Sequence, residues 1–392
     1  MTEETGPGIA QRNSGPLSGI VIADFSRVLA GPYATMLLAD LGAEVIKVEG
    51  PAGDDTRHWI PPVRDGVGTY YLAVNRNKRS IVLDFADAGD LAVAHALSGR
   101  ADVFIQNFRP GGLVRFGLDY DAVRGRNPAT VYCSISGFGT KGGAALPGYD
   151  LLVQATSGLM SITGSPDGPP YRAGISAFDV MTGLHSAIGI LAALHHRDET
   201  GEGQHVETSL MSSAMSAMVN QTSAYVAGGV VPHRMGNSHL SLFPYEPLQT
   251  GDGEIVVAAG NDGQFRKLCE AIGAPELASD PRFATSGDRN SRRDELKPLL
   301  LDRLATRSAA DWFGVLTEAG IPCGPINDLA QGVALATDLG LEPVVDSGGI
   351  PTVRNPISMS ATPVRYDLAP PGLGADGAQI REWLGFPSDG GQ

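Results

Sequence analysis

Cysteine is scarce in this chain of 392 residues, and its three cysteines, Cys133, Cys269 and Cys323, lie far apart. They form neither a CxxC pair nor another spacing typical of metal ligands, so the sequence predicts no metal site and no disulfide framework. This cysteine usage favours a reducing, cytoplasmic location. An uninterrupted apolar run of the ~18 residues that a membrane helix needs is also missing, so no membrane partner is expected.

Positive charge is in deficit, because 29 Lys and Arg face 43 Asp and Glu, for a net charge of -14. Such a balance argues against a nucleic-acid partner or an anionic membrane surface. Several catalytic signatures are absent as well: GxGxxG after the first strand, the P-loop, GxSxG and HExxH. Dinucleotide-binding, NTPase, serine-hydrolase and zinc-protease functions therefore lose their main support.

Short β-branched segments alternate with helical patterns through the first half of the chain. The pattern predicts strands at 19–25, 44–49, 80–85, 101–108, 129–139 and 203–210. Strand–helix–strand units of this length form parallel sheets with helices on their faces. We therefore predict an α/β fold, with a large open Rossmann-like parallel-sheet domain and a smaller α+β domain.

The character of the sequence changes after a small-residue helix at about 211–229. We predict a large domain over residues 1–225 that ends in this linker helix, and a small α+β domain over 226–325. Residues 326–392 are predicted to form a linker and a C-terminal segment that returns to the large domain. The stretch 321–331 is expected to be linker and short helix.

Asp179 begins the most distinctive stretch of the chain, at the start of a long apolar helix that ends before Gly201. An aspartate there most often caps the helix. It is also a candidate nucleophile, because a helix N-terminus stabilises a carboxylate and a free Asp has a pKa of about 3.9. His185 lies six positions later and does not share a helix face with Asp179.

Six basic residues stand in or near loops that leave the predicted sheet, and they are either solvated surface charges or ligands for a polyanion such as phosphate. They are Arg64, Arg76, Lys78, Arg79, Arg109 and Arg115.

Four segments taken together resemble the class III CoA-transferase family: the stretch from Leu17 to Arg57, NRNKRSIVLD, ADVFIQNFRPGGLVRFGL, and the Asp179 helix with the strand that follows it. IPCGPIND at 321–328 is similar to the C-terminal signature of that family. The resemblance covers about residues 16–380. It implies an interlocked homodimer, an acyl-CoA and a small carboxylate as substrates, and no cofactor beyond coenzyme A as substrate.

The same resemblance implies that Asp179 is the nucleophile, which forms an aspartyl anhydride and then an aspartyl-CoA thioester. The positions that match the CoA site of the family are Val28, Leu29, Ala30, Leu83, Asp84, Asn107, Phe108, Arg109, Arg115, Gly148 and Tyr149.

Two alternatives stay open, an α-methylacyl-CoA racemase-like isomerase and a CoA-binding protein without turnover. Racemases of the family carry a histidine where this chain has Tyr149, and a tyrosine with a pKa of about 10 is a poor substitute at neutral pH. Formyl-CoA transferase has a glutamine at the position of Leu29 and a four-glycine loop without a counterpart here, which disfavours formyl and oxalate. Asn237 and His239 are candidate acceptor-pocket residues.

Overall fold

The computed structural model describes residues 15–387. Its strands are β1 Val21–Asp24, β2 Glu44–Glu49, β3 Val63–Arg64, β4 Val67–Gly68, β5 Lys78–Val82, β6 Val103–Gln106, β7 Val131–Ser136, β8 His205–Ser209, β9 Tyr245–Gln249, β10 Glu254–Ala258, β11 Cys323–Pro325, β12 Val344–Ser347 and β13 Ile350–Val353. Its α-helices are α1 Ala30–Asp40, α2 Thr69–Val74, α3 Ala88–Arg100, α4 Tyr120–Arg126, α5 Asp150–Thr156, α6 Leu159–Ile162, α7 Ala177–Thr200, α8 Leu210–Ala217, α9 Val219–Val226, α10 Asp262–Ala271, α11 Pro275–Ser279, α12 Ser286–Ser291, α13 Arg293–Leu304, α14 Ala309–Glu318, α15 Leu329–Asp338 and α16 Gly377–Trp383.

Contacts between residues divide the chain into two units. The first contains the residues up to Ser157, Ala173–Val230, and the residues from Glu342 onward. The second contains Gly158–Arg172 and Val231–Leu341. The second unit therefore includes residues 158–172, which the sequence analysis placed in the large domain, and it extends past residue 325 to Leu341.

A six-stranded sheet in the order β5-β2-β1-β6-β7-β8 forms the centre of the first unit. Every neighbouring pair is parallel. The strand order reverses beside β1, which lies between β2 and β6, and ligands of such sheets bind outside the carboxyl ends of the strands at this point. The predicted α/β fold with a large parallel sheet is confirmed, and the predicted strand 44–49 coincides with β2.

One face of this sheet is covered by an aromatic and aliphatic core. Phe104 stacks on Phe25 at 4.5 Å and on Tyr132 at 4.9 Å between ring centroids. Leu97 of α3 and Ile380 of α16 are fully buried in the same core. The C-terminal helix thus completes the hydrophobic face of a sheet that the N-terminal half builds.

Three of the basic residues that the sequence offered as phosphate ligands are buried in ion pairs instead. Arg76 pairs with Asp40 at 2.6 Å, Lys78 with Asp24 at 3.2 Å, and Arg79 with Glu44 at 2.6 Å. The expectation that these three bind a polyanion is wrong, because each charge already has a carboxylate partner inside the protein and is needed there to balance it.

The second unit has its own antiparallel sheet, in the order β11-β10-β9. The stretch 321–331 was expected to be linker and short helix. A helix, α15, does begin at Leu329, but Cys323 pairs with Val257 and Pro325 with Ile255, so the stretch also contributes a strand. Helices α10, α13 and α14 cover this sheet with buried Phe265, Leu300 and Trp312.

Helix α7 is long and apolar enough to cross a membrane, as judged by length and composition alone. Core helices pass the same test, and α7 packs against α1, β7 and α8 with Phe178, Ile190 and Leu194 buried. The expectation that no segment reaches membrane length thus needs correction for this helix, although the finding is weak evidence for a membrane.

Candidate active site

Asp179 lies in the first turn of α7 and does not cap it. The residue before the helix is Ser176, and its side chain makes no capping hydrogen bond. The cap comes from α5, where Asp150 Oδ1 accepts the N–H of Phe178 at 2.8 Å and the N–H of Asp179 at 3.1 Å. The capping interpretation of Asp179 is therefore wrong, and its own carboxylate is left for another role.

Asp150 is held by a second set of contacts. Its other oxygen, Oδ2, accepts a hydrogen bond from the Gln154 side chain, which also donates to the carbonyl of Ile175 at 3.1 Å. The side-chain amide oxygen of Gln154, Oε1, accepts a hydrogen bond from the N–H of Ala173 at 2.8 Å. These contacts fasten Ala173 and Ile175, in the segment that leads into α7, to α5.

Burial raises the pKa of the Asp179 carboxyl from 3.8 to about 7, and the negative charge of Asp150 adds to the rise. The sequence had led us to expect an anion stabilised by free N–H groups at the helix start. That expectation is wrong because Asp150 already occupies two of those N–H groups and brings a like charge beside the carboxylate. No described residue donates a hydrogen bond to the Asp179 side chain.

Tyr70 of α2 is a neighbour of Asp179 that sequence reasoning missed. Burial raises the pKa of its phenol above 10.0, a hydrogen bond with Ser176 opposes the rise, and the charge of Asp179 adds to it. Tyr70 and Val180, the residue after Asp179, pack against the same buried cluster. A phenol that stays protonated at neutral pH is a hydrogen-bond donor beside the candidate nucleophile. No spacing in the sequence signals this proximity.

The loop from β1 to α1 brings Val28, Leu29 and Ala30 to the same place. Val28 has φ 70, a left-handed conformation that is strained for a β-branched residue. The Asp54 carboxylate accepts its N–H at 3.2 Å and pairs with Lys47 at 2.9 Å, with both charged side chains fully buried. Leu29 belongs to a buried cluster, and Val28, Tyr70 and Val180 all pack against it, so the loop and the start of α7 share one hydrophobic core.

A cavity of about 640 Å³ opens at the carboxyl ends of β1, β2 and β5. Four of the predicted CoA-site residues line it: Leu83, Asp84, Phe108 and Arg115. Arg27, the residue directly before Val28, lines it too. The Arg115 guanidinium lies 4.5 Å from the centroid of the Phe116 ring. Two arginines and apolar rings give this cavity groups suited to a phosphorylated, ring-containing ligand.

The remaining predicted residues lie elsewhere around the sheet. Asn107 accepts the N–H of Arg27 at 3.0 Å and donates to its carbonyl at 2.8 Å, so its carboxamide joins β1 to β6. Arg109 lines a different cavity of about 390 Å³, together with His205. Gly148 packs against Gly137 with no room for a side chain, and Tyr149 is 66% exposed.

Several histidines have structural partners. His185 Nδ1 lies 2.9 Å from Ser213 Oγ. In the second unit, His239 Nδ1 accepts the N–H of Ser241 at 3.0 Å. Across residues 15–387 no three His, Cys, Asp or Glu side chains are grouped so that they could hold a metal ion.

The family model described as CoA-transferase family III matches residues 17–377. The chain belongs to this family. It is thus a class III CoA-transferase, as the resemblance implied.

Relatives of this class III CoA-transferase are similar along most of its length. It is 43% identical over 381 residues to a succinate–glutarate CoA-transferase from Agrobacterium fabrum, covering 93% of this chain and 94% of the relative. It is 39% identical over 391 residues to an acetyl-CoA:oxalate CoA-transferase from Acetobacter aceti, with 99% of each covered. The crystal structure of a CAIB/BAIF family protein from Brucella suis has a TM-score of 0.85 and 42% identity, covering 95% of this chain and 100% of that one.

Proposed function

We propose that this class III CoA-transferase moves CoA from an acyl-CoA to a free carboxylate through covalent intermediates on Asp179. The observation that carries the proposal is the state of that side chain: a partly exposed carboxyl at the start of α7, with a pKa of about 7 and no described hydrogen-bond donor. About half of such carboxyls are ionised at neutral pH, and an ionised one is a stronger nucleophile than an ordinary aspartate.

In the proposed reaction an Asp179 oxygen attacks the thioester carbonyl, and the C–S bond breaks to give an acyl-aspartyl anhydride and CoA thiolate. The thiolate then attacks the Asp179 carbonyl carbon and releases the donor carboxylate, leaving an aspartyl-CoA thioester. The acceptor carboxylate attacks this thioester to form a second anhydride and thiolate. Attack of the thiolate on the acceptor carbonyl regenerates Asp179, so no net proton is consumed.

We propose that CoA occupies the cavity lined by Arg27, Leu83, Asp84, Phe108 and Arg115. The arginines would hold phosphate groups, and the loop of Val28 to Ala30 would lead the thioester towards Asp179. The phenol of Tyr70 would donate to the thioester oxygen, a task for which the N–H groups of Phe178 and Asp179 are not available because Asp150 accepts both.

For the substrates we propose short dicarboxylic acids and their CoA thioesters. The curated relatives above are named for succinate, glutarate and oxalate. One of them carries oxalate in its name, so the missing glutamine and glycine loop are not grounds to leave oxalate out. A pocket of about 610 Å³ beside Tyr70, lined by Trp59 and His58 among others, is the proposed place for the acyl chain.

We also propose that two copies associate. Leu184, Ile188 and Leu191 project from one face of α7 at 40%, 63% and 38% exposure. Val219, Tyr225 and Val226 of α9 are 60% exposed or more. Exposed apolar side chains of this kind mark an interaction site, and a second copy would cover them. A mass of twice 40.9 kDa by light scattering supports the dimer, and a mass of 40.9 kDa contradicts it.

The function is tested by mass spectrometry in heavy water with pooled acyl-CoAs and free carboxylates. New CoA esters without deuterium in the acyl chain support transfer and name the donor and acceptor. A gain of one deuterium on an existing acyl-CoA, without new esters, supports the racemase-like isomerase instead. Asp179→Asn is expected to abolish transfer, and if transfer persists the nucleophile is another residue. If the protein binds CoA but neither forms new CoA esters nor incorporates deuterium, the result supports a CoA-binding protein without turnover.

A further inference from the structure

Asp150 stands in an unusual position for a helix cap, because it is a charged cap placed next to a reacting carboxylate. It is 8% exposed, and its described partners all donate an N–H: Phe178, Asp179 and the Gln154 side chain. A carboxyl that accepts from three N–H groups is best satisfied when ionised, since a protonated oxygen is a donor. The Asp150 carboxylate therefore places a fixed negative charge against the backbone N–H of the proposed nucleophile, Asp179.

We propose that Asp150 is a positioning residue that fixes the backbone of Asp179 and drives its acylation by charge repulsion. The inference rests on the proposed function of Asp179 as nucleophile. Two carboxylates repel each other only while both are ionised. When Asp179 becomes an anhydride or a thioester it is neutral, so the repulsion is present in the free enzyme and absent in both covalent intermediates. Repulsion that is relieved on reaction favours the forward step.

The two functions of Asp150 use different parts of the side chain. The hydrogen bonds to Phe178 and Asp179 need an acceptor oxygen at Oδ1, whereas the repulsion needs the negative charge. Asp150→Asn keeps an acceptor and removes the charge, so it separates the functions. Asp150→Ser, which also retains an oxygen without charge, is the second variant if the first does not fold.

Few other titratable groups face the Asp179 carboxyl. Tyr70 faces it from α2, and Tyr33 of α1 packs against Gly183 one turn further along α7. Burial holds the pKa of both phenols above 10.0, so neither changes charge between pH 5 and 9. The titration of Asp179 in that range therefore reports on its burial and on the charge of Asp150, and a change of its midpoint in an Asp150 variant reports on that charge.

The first measurement needs no turnover. A carbodiimide couples glycinamide to protonated carboxyls, and the extent of coupling at the peptide that contains Asp179 is followed by mass spectrometry from pH 4 to 9. The wild-type midpoint is expected near 7. In Asp150→Asn it is expected to fall by about one pH unit or more, because a like charge is removed. Glu199→Gln is the matched control, since it removes a charge from the exposed end of the same helix and is expected to leave the midpoint unchanged.

The second measurement is the pH profile of kcat/KM for transfer. At pH 8, where Asp179 is ionised in both proteins, Asp150→Asn is expected to be about three- to tenfold slower because its nucleophile is less basic. The deficit is expected to close near pH 5.5, because more of the variant's Asp179 is then ionised. A purely structural role predicts an equal loss at every pH.

An unchanged coupling midpoint in a folded Asp150→Asn protein would overturn the inference. Persistent transfer by Asp179→Asn would instead overturn the proposed function, and the coupling result would stand without it. The two failures are thus distinguishable.

Discussion

The carbonyl oxygen of Ala30 lies 2.7 Å from the point where a side chain on Gly183 would place its Cβ. Helix α7 can approach the loop of Val28 to Ala30 only because position 183 has no side chain. Gly183 is one turn after Asp179, so this contact sets the distance between the candidate nucleophile and the loop that leads to the cavity.

Gly183→Ala is accordingly expected to push α7 away from α1 and to lower transfer at least tenfold, with a loss of about 1–3 kcal/mol in the free energy of unfolding. Gly125→Ala is the matched control, because Gly125 is also helical but has open space around it. That control is expected to keep full activity and to gain about 0.5–1 kcal/mol from helix propensity. Equal behaviour of the two variants in transfer assays and urea unfolding would contradict the packing argument.

Removing the charge of Asp179 is expected to stabilise the folded protein at high pH. The folded carboxyl binds its proton more tightly than the unfolded one, so stability falls as pH rises from about 4 to 7. Asp179→Asn abolishes this loss. We expect a gain of about 1–2 kcal/mol at pH 8, below the ~4 kcal/mol that a pKa of 7 implies, because water screens a partly exposed charge.

The measurement is urea unfolding of both proteins between pH 4 and pH 8. The gain should shrink towards pH 4, where the folded carboxyl is protonated and the unfolded carboxyl is only partly ionised. An Asp179→Asn protein that is no more stable than wild type at pH 8 would contradict the prediction.

Arg115→Ala is expected to raise the KM for CoA thioesters by about tenfold, the value of one charge-assisted hydrogen bond to a phosphate, with little change in kcat. Arg109→Ala is the matched control. The resemblance assigns both arginines to the CoA site, but Arg109 lines the cavity of about 390 Å³ and Arg115 lines the cavity of about 640 Å³. We expect Arg109→Ala to change KM less than twofold. Steady-state kinetics at two salt concentrations checks this, and a larger effect at Arg109 would move the proposed CoA site.

Asp54→Asn is expected to lower the free energy of unfolding by about 3–5 kcal/mol, because it leaves Lys47 buried without its partner. Burial opposes ionisation of Asp54, but the charge of Lys47 and several hydrogen bonds hold its pKa below 3.8, so the stabilisation is present at neutral pH and lost below pH 4. Transfer should fall as well, since the carboxylate that accepts the N–H of Val28 is replaced by an amide with only one acceptor oxygen.

The neighbouring Asp55→Asn is the matched control, because Asp55 makes an exposed pair with Arg27 at 3.6 Å. We expect its unfolding free energy to stay within about 0.5 kcal/mol of wild type. If Asp54→Asn and Asp55→Asn unfold at the same urea concentration, the buried pair of Lys47 and Asp54 does not stabilise the fold around the loop of Val28 to Ala30.

The sequence by itself determined the elements of the central sheet and the family. β-Branched runs separated by helical patterns mark buried parallel strands, and the predicted strand at 44–49 needed no correction. These features depend on local periodicity, which the order of residues contains. The position of Asp179 at the start of a long helix was predictable for the same reason.

Only the tertiary structure decided the chemistry of the site. Whether Arg76 or Arg115 meets a ligand depends on which carboxylates fold against them, and Asp40 lies 36 residues from Arg76. The pKa of Asp179 depends on Asp150, 29 residues away, which takes the N–H groups that the sequence assigned to Asp179. Charge and burial are set by neighbours in space, and no spacing along the chain encodes them.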